Sequence, residues 1–351
     1  MDQEADCRWG MNQLPLLEGS PFALVRSSCL HALQVAQDVF IDESALRRFA
    51  AELDTEATHN LLHGSMGENL DTVSDDFRHA DEAANFAVLF CLLQFGHGFR
   101  HALHKHCGRG ASQTINLGVR VLHGGDDLSA ARLRRLTILE IHQAFALPQA
   151  PPLATFVQQL EAVLHQAGTV LERLGLQNFA AFCERVLEMP AATEAPAALL
   201  VQQLAHHFPA FNDQGVLHDG SRVVLLKKAT LTVGELRRLA APYDARYRFW
   251  QDCQQAVAPV DNVIPAVLVY LGILRLSSTL YQQIHEQHAL LARGPLEAEL
   301  RAVALAACEQ IVTATDNAIS ALDLGYYLWL TGKEAGKRQF ARHHTQDTVF
   351  Y

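Results

Sequence analysis

Residues 257–274 read VAPVDNVIPAVLVYLGIL, with Asp261 and Asn262 just ahead of an apolar run and Pro265 in its first turn. Helices begin this way: a short polar side chain accepts orphan backbone N–H groups, and proline fits where no donor is needed. A carboxylate there is stabilised as the anion by those N–H groups and by the positive end of the helix dipole. Read locally, Asp261 is a helix cap, a common use of Asp. The run behind it is apolar enough to be buried and falls short of the ~20 residues that span a membrane.

Outward from that helix, apolar residues recur mostly at helical spacing. Phe22, Val25, Cys29, Leu33 and Ala36 predict a helix over Pro21–Phe40, and Ser44–Leu53 predicts a second. Thr58–Asp76, rich in Gly, His, Asn and Asp, reads as a loop. Asp81–Phe95 is apolar enough for a buried helix, stopped by Gly96 and Gly98, where backbone can come close to a ligand or another helix. Further helices are predicted over Ser129–Leu136, Leu153–Leu174, Phe179–Leu187 and Ala197–Phe208. Residues 216–228, VLHDGSRVVLLKK, set Asp219-Gly220 between two apolar runs, a hairpin signal. Thr232 and Glu235 form a Thr-x-x-Glu pattern that predicts a helix start over Thr232–Leu239. Tyr281–Ala292, Pro295–Val312 and Asp316–Leu330 complete the helices, and the aromatic tail is expected to dock. The sum is a mainly α fold with one small β-hairpin or sheet. The composition does not change along the chain, so we expect an N-terminal extension at 1–20 and a single helical domain over 21–351.

Lys+Arg 28 against Asp+Glu 38 gives a net charge of -10. Gripping a nucleic-acid backbone needs a basic face, so the balance favours a small-molecule partner and no direct nucleic-acid contact. Seven scattered cysteines without a CxxC pair read as reduced thiols. The acidic start MDQEADCRWG has no apolar h-region. A cytoplasmic protein without a membrane span is expected; oligomeric state has no signature in the sequence.

The local chemistry is sparse. His97, His101, His104 and His106 precede Cys107 in a Gly-rich region, but no carboxylate stands at a fixed offset and the spacing matches no zinc pattern, so no metal is expected. HCGRGAS at 106–112 lacks the spacing of a phosphate loop and a preceding strand, and there is no GxSxG elbow. Lys227 and Lys228 follow an apolar strand: either a solvated strand end, or a cation set to hold a phosphate. Trp329, in LGYYLWL, is either core or a face on which a planar base stacks.

Six segments in order carry a resemblance: LLQFGHGFRHAL (92–103), DGSRVVLLKKATLTVGEL (219–236), VDNVIPAVLVYLGIL (260–274), PLEAELRAVALAACEQIV (295–312), LDLGYYLWLTG (322–332) and HHTQDTVFY (343–351). Together they resemble the queuosine salvage family of queuosine 5′-phosphate N-glycosylases. That family carries a Phe-Gly-x-Gly turn, a Lys-Arg-Ala element, an Ala-Asp-Asn-x-x-Pro helix start, a Glu-x-Glu-x-Arg helix and a Tyr-x-x-Trp helix. The resemblance implies a helical fold like that of DNA glycosylases and a cofactor-free hydrolysis that frees the base queuine for tRNA modification. It places Asp261 as the essential carboxylate and Lys227 at the phosphate. Gln94, Phe95, Gly96, His97, Asn262, Tyr326 and Trp329 fall in its substrate-binding segments.

Physical chemistry agrees with that placement. Breaking an N-glycosidic bond builds positive charge on the sugar, and a carboxylate beside it stabilises that charge, attacks it or orients water. A 7-deazapurine has no N7 to protonate, so assistance must fall on the sugar and on the amide edge of the base. The chain departs from the family at a number of positions, several of them expected to line the base pocket. Cys91 and Gln94 stand for Asp and Asn, His97 for Ser, Gly325 for an Asp, and Pro259-Val260 for Phe-Ala; Lys228 also replaces Arg. A non-catalytic nucleotide binder and an N-ribosidase for another base are the alternatives. A nucleic-acid glycosylase is disfavoured by the charge.

Overall fold

The computed structural model describes residues 17–64, 77–125, 127–338 and 340–351. In order, the elements are α1 (Pro21–Val35), β1 (Val39–Ile41), α2 (Glu43–Glu52), α3 (Thr55–Gly64), α4 (Ala80–Leu92), α5 (Arg100–Cys107) and α6 (Ala111–Gly124). Two short helices follow, α7 (Ala130–Leu133) and α8 (Ile138–Ala144), then α9 (Ala154–Arg173), α10 (Phe179–Leu187) and α11 (Pro196–His207). The remainder is β2 (Gln214–Val216), β3 (Arg222–Val224), α12 (Lys227–Leu239), α13 (Val263–Tyr270), β4 (Leu274–Leu276), α14 (Ser278–His285), α15 (Pro295–Ala314), α16 (Ala321–Thr331) and α17 (Ala335–Arg338). The mainly helical expectation holds. No described helix is long and apolar enough to cross a membrane.

Two helices form the spine. Because α4 is apolar nearly all round, it is covered on every side and packs on α12, α10 and α6. Buried Ala, Leu and Val fill α15 from Ala298 to Val312, and it packs on α1, α2, α16 and both small sheets. One contiguous apolar core joins Phe22 to Val349.

Several boundaries differ from the expected ones. The first helix stops at Val35, because Val39–Ile41 pairs antiparallel with Leu274–Leu276, a ladder between distant parts of the chain in register Val39↔Leu276. The hairpin forms as expected around Asp219-Gly220, with Gly220 at φ +80°, but its strands are 214–216 and 222–224. The helix expected from Thr232 begins at Lys227: Leu226, held in the left-handed region at φ 51°, turns the strand directly into α12. Thr232 and Glu235 are therefore not a capping box. The Thr232 hydroxyl donates to the Lys228 carbonyl, and Glu235 faces α16. Helix α3 occupies the start of the expected loop at 58–76; residues 65–76 of that loop and 1–16 of the extension lie outside the described residues.

The glycines after α4 serve close approach. Gly96 sits at φ +98°, with the Phe156 ring of α9 where a Cβ would stand. Gly98 gives way to the Thr345 carbonyl of the C-terminal tail. That tail docks as expected. The Gln159 side chain donates to the Gln346 carbonyl (2.8 Å), and Thr345, Val349, Phe350 and Tyr351 are buried. Gly96→Ala combines a strained φ with overpacking against Phe156, so we expect a loss of roughly 2–4 kcal/mol, measured by urea unfolding.

Candidate active site

A cavity of about 240 Å³ opens between α4, α12, α13 and α16, with the first turn of α6 and the tail completing its wall. Asp261, Asn262, Lys227, Gln94, Phe95, His97, Tyr326 and Trp329 all line it, as do Glu235, Arg100, His104, Lys333 and Arg342. Gly96 does not. It lies behind the wall against Phe156, and its contribution is to let the chain turn from α4 into the cavity rim.

Asp261 precedes α13. Its Oδ1 accepts the Val263 N–H at 2.7 Å and the Ile264 N–H at 3.4 Å, so the local reading as a cap is correct. No described residue donates a hydrogen bond to Oδ2, and the side chain is only partly buried on the cavity wall. One oxygen thus fixes the carboxylate on the cavity wall. Neighbouring Asn262 donates to the His343 carbonyl (3.2 Å), tying the start of the helix to the tail.

Lys227 is not a solvated strand end. It sits in the first turn of α12, is 6% exposed, and its Nζ donates to the Gln94 carbonyl at 3.1 Å. Burial pulls its pKa down, and the charge of Asp261 opposes that pull. A buried ammonium beside a carboxylate therefore stands on the wall of the cavity. Lys228 is deeper and structural. Its Nζ donates to the Leu92 and Val349 carbonyls (2.6 and 2.5 Å) near the rings of Phe95 and Phe211, stapling the end of α4 to the tail.

Asp261 and Lys227 owe their positions to one buried ion pair. Arg301 of α15, 1% exposed, meets the Asp213 carboxylate at 2.5 and 3.1 Å and Glu297 at 2.9 Å. It also donates twice to the Val260 carbonyl, immediately before Asp261. Asp213 in turn accepts the Leu225 and Leu226 N–H groups on its own carbonyl, which sets the entry into α12. Burial opposes the charge of Arg301, but Asp213 and Glu297 outweigh it and hold the guanidinium more firmly protonated than usual. Its face covers the Tyr351 ring at 3.9 Å. Sequence reading missed this network because, Glu297 apart, Arg301 meets Val260 and Asp213 from 41 and 88 residues away.

His97 is fully engaged. Its Nε2 accepts the Thr345 N–H (3.2 Å), so Nδ1 carries the proton and donates to the Tyr351 main-chain oxygen at 2.9 Å. Its ring stacks on Tyr351 at 4.4 Å. Desolvation pushes its pKa down to about 3, against the hydrogen bond to Tyr351. It is a tail anchor on the cavity wall. Among the described residues, Asp38, His218 and Glu299 are the group whose ligand atoms lie within 4.8 Å of one another, and Glu299 already accepts the N–H groups of Gln37, Asp38 and Val39. Trp329, half-buried, has Lys333 Nζ 3.8 Å from its ring centre.

The family model for queuosine salvage proteins matches residues 116–351, two thirds of the chain. The chain belongs to the queuosine salvage protein family. A queuosine 5′-phosphate N-glycosylase/hydrolase of Sphaerobacter thermophilus is 26% identical over 66% of this chain and 69% of its own length. Proteins of the same description from Bos taurus and Mus musculus are each 21% identical over 92% of this chain and 94% of theirs. The matched region contains Asp261, Lys227, Glu235 and Trp329, whereas α4 with Gln94 and Phe95 precedes it.

Two outcomes follow from this geometry. Asp213→Asn leaves Arg301 buried with part of its partner charge removed, and we expect a loss of about 3–5 kcal/mol in urea unfolding. The second concerns pH. The unfolded chain protonates His97 below its ordinary value of 6.5, while the folded protein keeps it neutral down to about 3. Buried His343 is depressed in the same sense, chiefly by desolvation. Their stabilisation is complete above pH 6.5 and declines as pH falls toward 3. Unfolding midpoints between pH 7 and 5 should fall, and His97→Gln should flatten that slope by about one proton.

Proposed function

We propose that this protein hydrolyses the N-glycosidic bond of queuosine 5′-phosphate and releases queuine. The observation that carries this reading is family membership joined to Asp261: a carboxylate with one oxygen pinned by helix N–H groups and the other open to the cavity. As the bond to the base lengthens, positive charge grows on the anomeric carbon and ring oxygen. The unbonded oxygen of Asp261 stabilises that charge from a fixed position, with little reorganisation at the moment of reaction. Lys227, lining the same cavity, supplies a cation for the 5′-phosphate. Binding energy gained there is available to distort the sugar. Trp329 offers a flat face for the base. Water and substrate suffice, so no cofactor is required, and we place the reaction in the cytoplasm, in keeping with the six free cysteines among the described residues.

Asp261→Asn separates the cap from the charge. Asn caps helices as well as Asp does, so the variant should unfold within a few degrees of the parent. Its kcat for queuine release, followed by mass spectrometry, should fall by about 10²–10³-fold or more. Undiminished release from a folded Asp261→Asn protein would sink the assignment.

A further inference from the structure

The cavity wall holds two carboxylates. Asp261 is assigned to the sugar; Glu235 has no part in the chemistry above. It lies on α12, 2% exposed, on a stretch of wall otherwise made by Leu231, Tyr326 and Trp329. A buried carboxylate needs partners, and these are specific. The Tyr326 hydroxyl donates to Oε1 at 2.9 Å, and Arg238 donates to Oε2 from Nη2 at 2.6 Å and from Nε at 3.2 Å. Gly234 makes the first bond feasible, since a Cβ there would stand 2.6 Å from the Tyr326 oxygen. A carboxylate offers about four acceptor positions. Arg238 fills those of Oε2, and Tyr326 takes one of the two on Oε1.

We infer that Glu235 reads the base: its remaining Oε1 position accepts an N–H from the base edge, while Gln94 donates to the neighbouring carbonyl. Three observations carry this. Tyr326 and Trp329 stand three residues apart on one face of α16, so the hydroxyl that holds Glu235 borders the ring on which a base would stack. Gln94 lines the same cavity, and its Nε2 is buried without a hydrogen-bond partner, a donor left without an acceptor among the described residues. At Gly325, facing the same cavity, a Cβ would stand 2.8 Å from Pro259 Cδ, so no side chain fits there to supply another acceptor. An acceptor and a donor together select a lactam edge, ring N–H beside C=O, as in a 7-deazaguanine. A 7-deazaadenine presents an amino group and an unprotonated ring nitrogen there, the reverse pattern. The inference rests on the proposed function for the pose of the nucleotide, but it makes its own claim, about base preference.

Calorimetric binding to Asp261→Asn protein, which removes turnover, tests it with 7-deazaguanosine and 7-deazaadenosine 5′-phosphates. We expect the lactam base to bind more tightly. Glu235→Gln should weaken the lactam nucleotide by about 10–150-fold, the range of one hydrogen bond to a charged group, and leave the amino base nearly unchanged. Glu235→Gln also disturbs buried Arg238, so Gln94→Met provides an independent arm: it removes the donor without touching the ion pair, and it too should erode the preference. Equal binding of both bases by the parent, or a preference intact in both variants, would overturn the inference even with queuine release established. Failure of queuine release with the lactam preference intact would count against the proposed reaction alone.

Discussion

Arg301 and its buried partners are what the site depends on. A guanidinium and two carboxylates taken out of water lose several kcal/mol of hydration each, and such a group is rarely a net source of stability. What it gives here is register. Arg301 reaches Asp213 at the head of the hairpin, Val260 before α13 and the ring of Tyr351 in the tail, three segments with no local reason to meet. A greasy residue of similar volume would fill the space without specifying which carbonyl lies where. With five directed donors, Arg301 fixes the backbone next to Asp261 and, through Asp213, the entry to the helix of Lys227.

The tail completes the wall. Its carbonyls accept from Lys228, Gln159 and Asn262, and its N–H at Thr345 occupies His97. Two of those donors stand beside residues of the proposed chemistry: Lys228 next to Lys227, Asn262 next to Asp261. The last nine residues and the cavity rim are consequently one hydrogen-bonded unit. The acid sensitivity of His97 and His343 is then a property of the wall as well as of global stability.

Much of this was legible in the residues, unevenly. Periodicity located the long helices, because burial of one face is recorded every third or fourth residue regardless of what it packs on. The hairpin showed through Asp219-Gly220, since few other pairs tolerate that turn. Asp261 was legible as a cap from three neighbours. The start of α12 was not, because it depends on Leu226 adopting a left-handed conformation that only the distant Asp213 makes worthwhile. The β1–β4 ladder and the role of His97 were hidden for the same reason: their partners lie more than 200 residues away. Glu235 was misread outright. A Thr-x-x-Glu pattern looks the same at a helix start and in mid-helix, and only the Tyr326 hydroxyl distinguishes them.

In the proposed reaction the local explanation of Asp261 and the functional one do not compete. A capping carboxylate uses one oxygen on backbone N–H groups that have no other partner, so its position is enforced by the helix itself. The second oxygen is then aimed by the first without a further side chain to orient it. Electrostatic assistance is most effective when the assisting group does not move as charge develops, and a cap satisfies that condition at no structural cost beyond the helix already present. The cap in this protein is the means by which the charge is held still. Lys227, at the head of α12, is fixed in the same manner, by the start of a helix, and the two helix ends line one cavity.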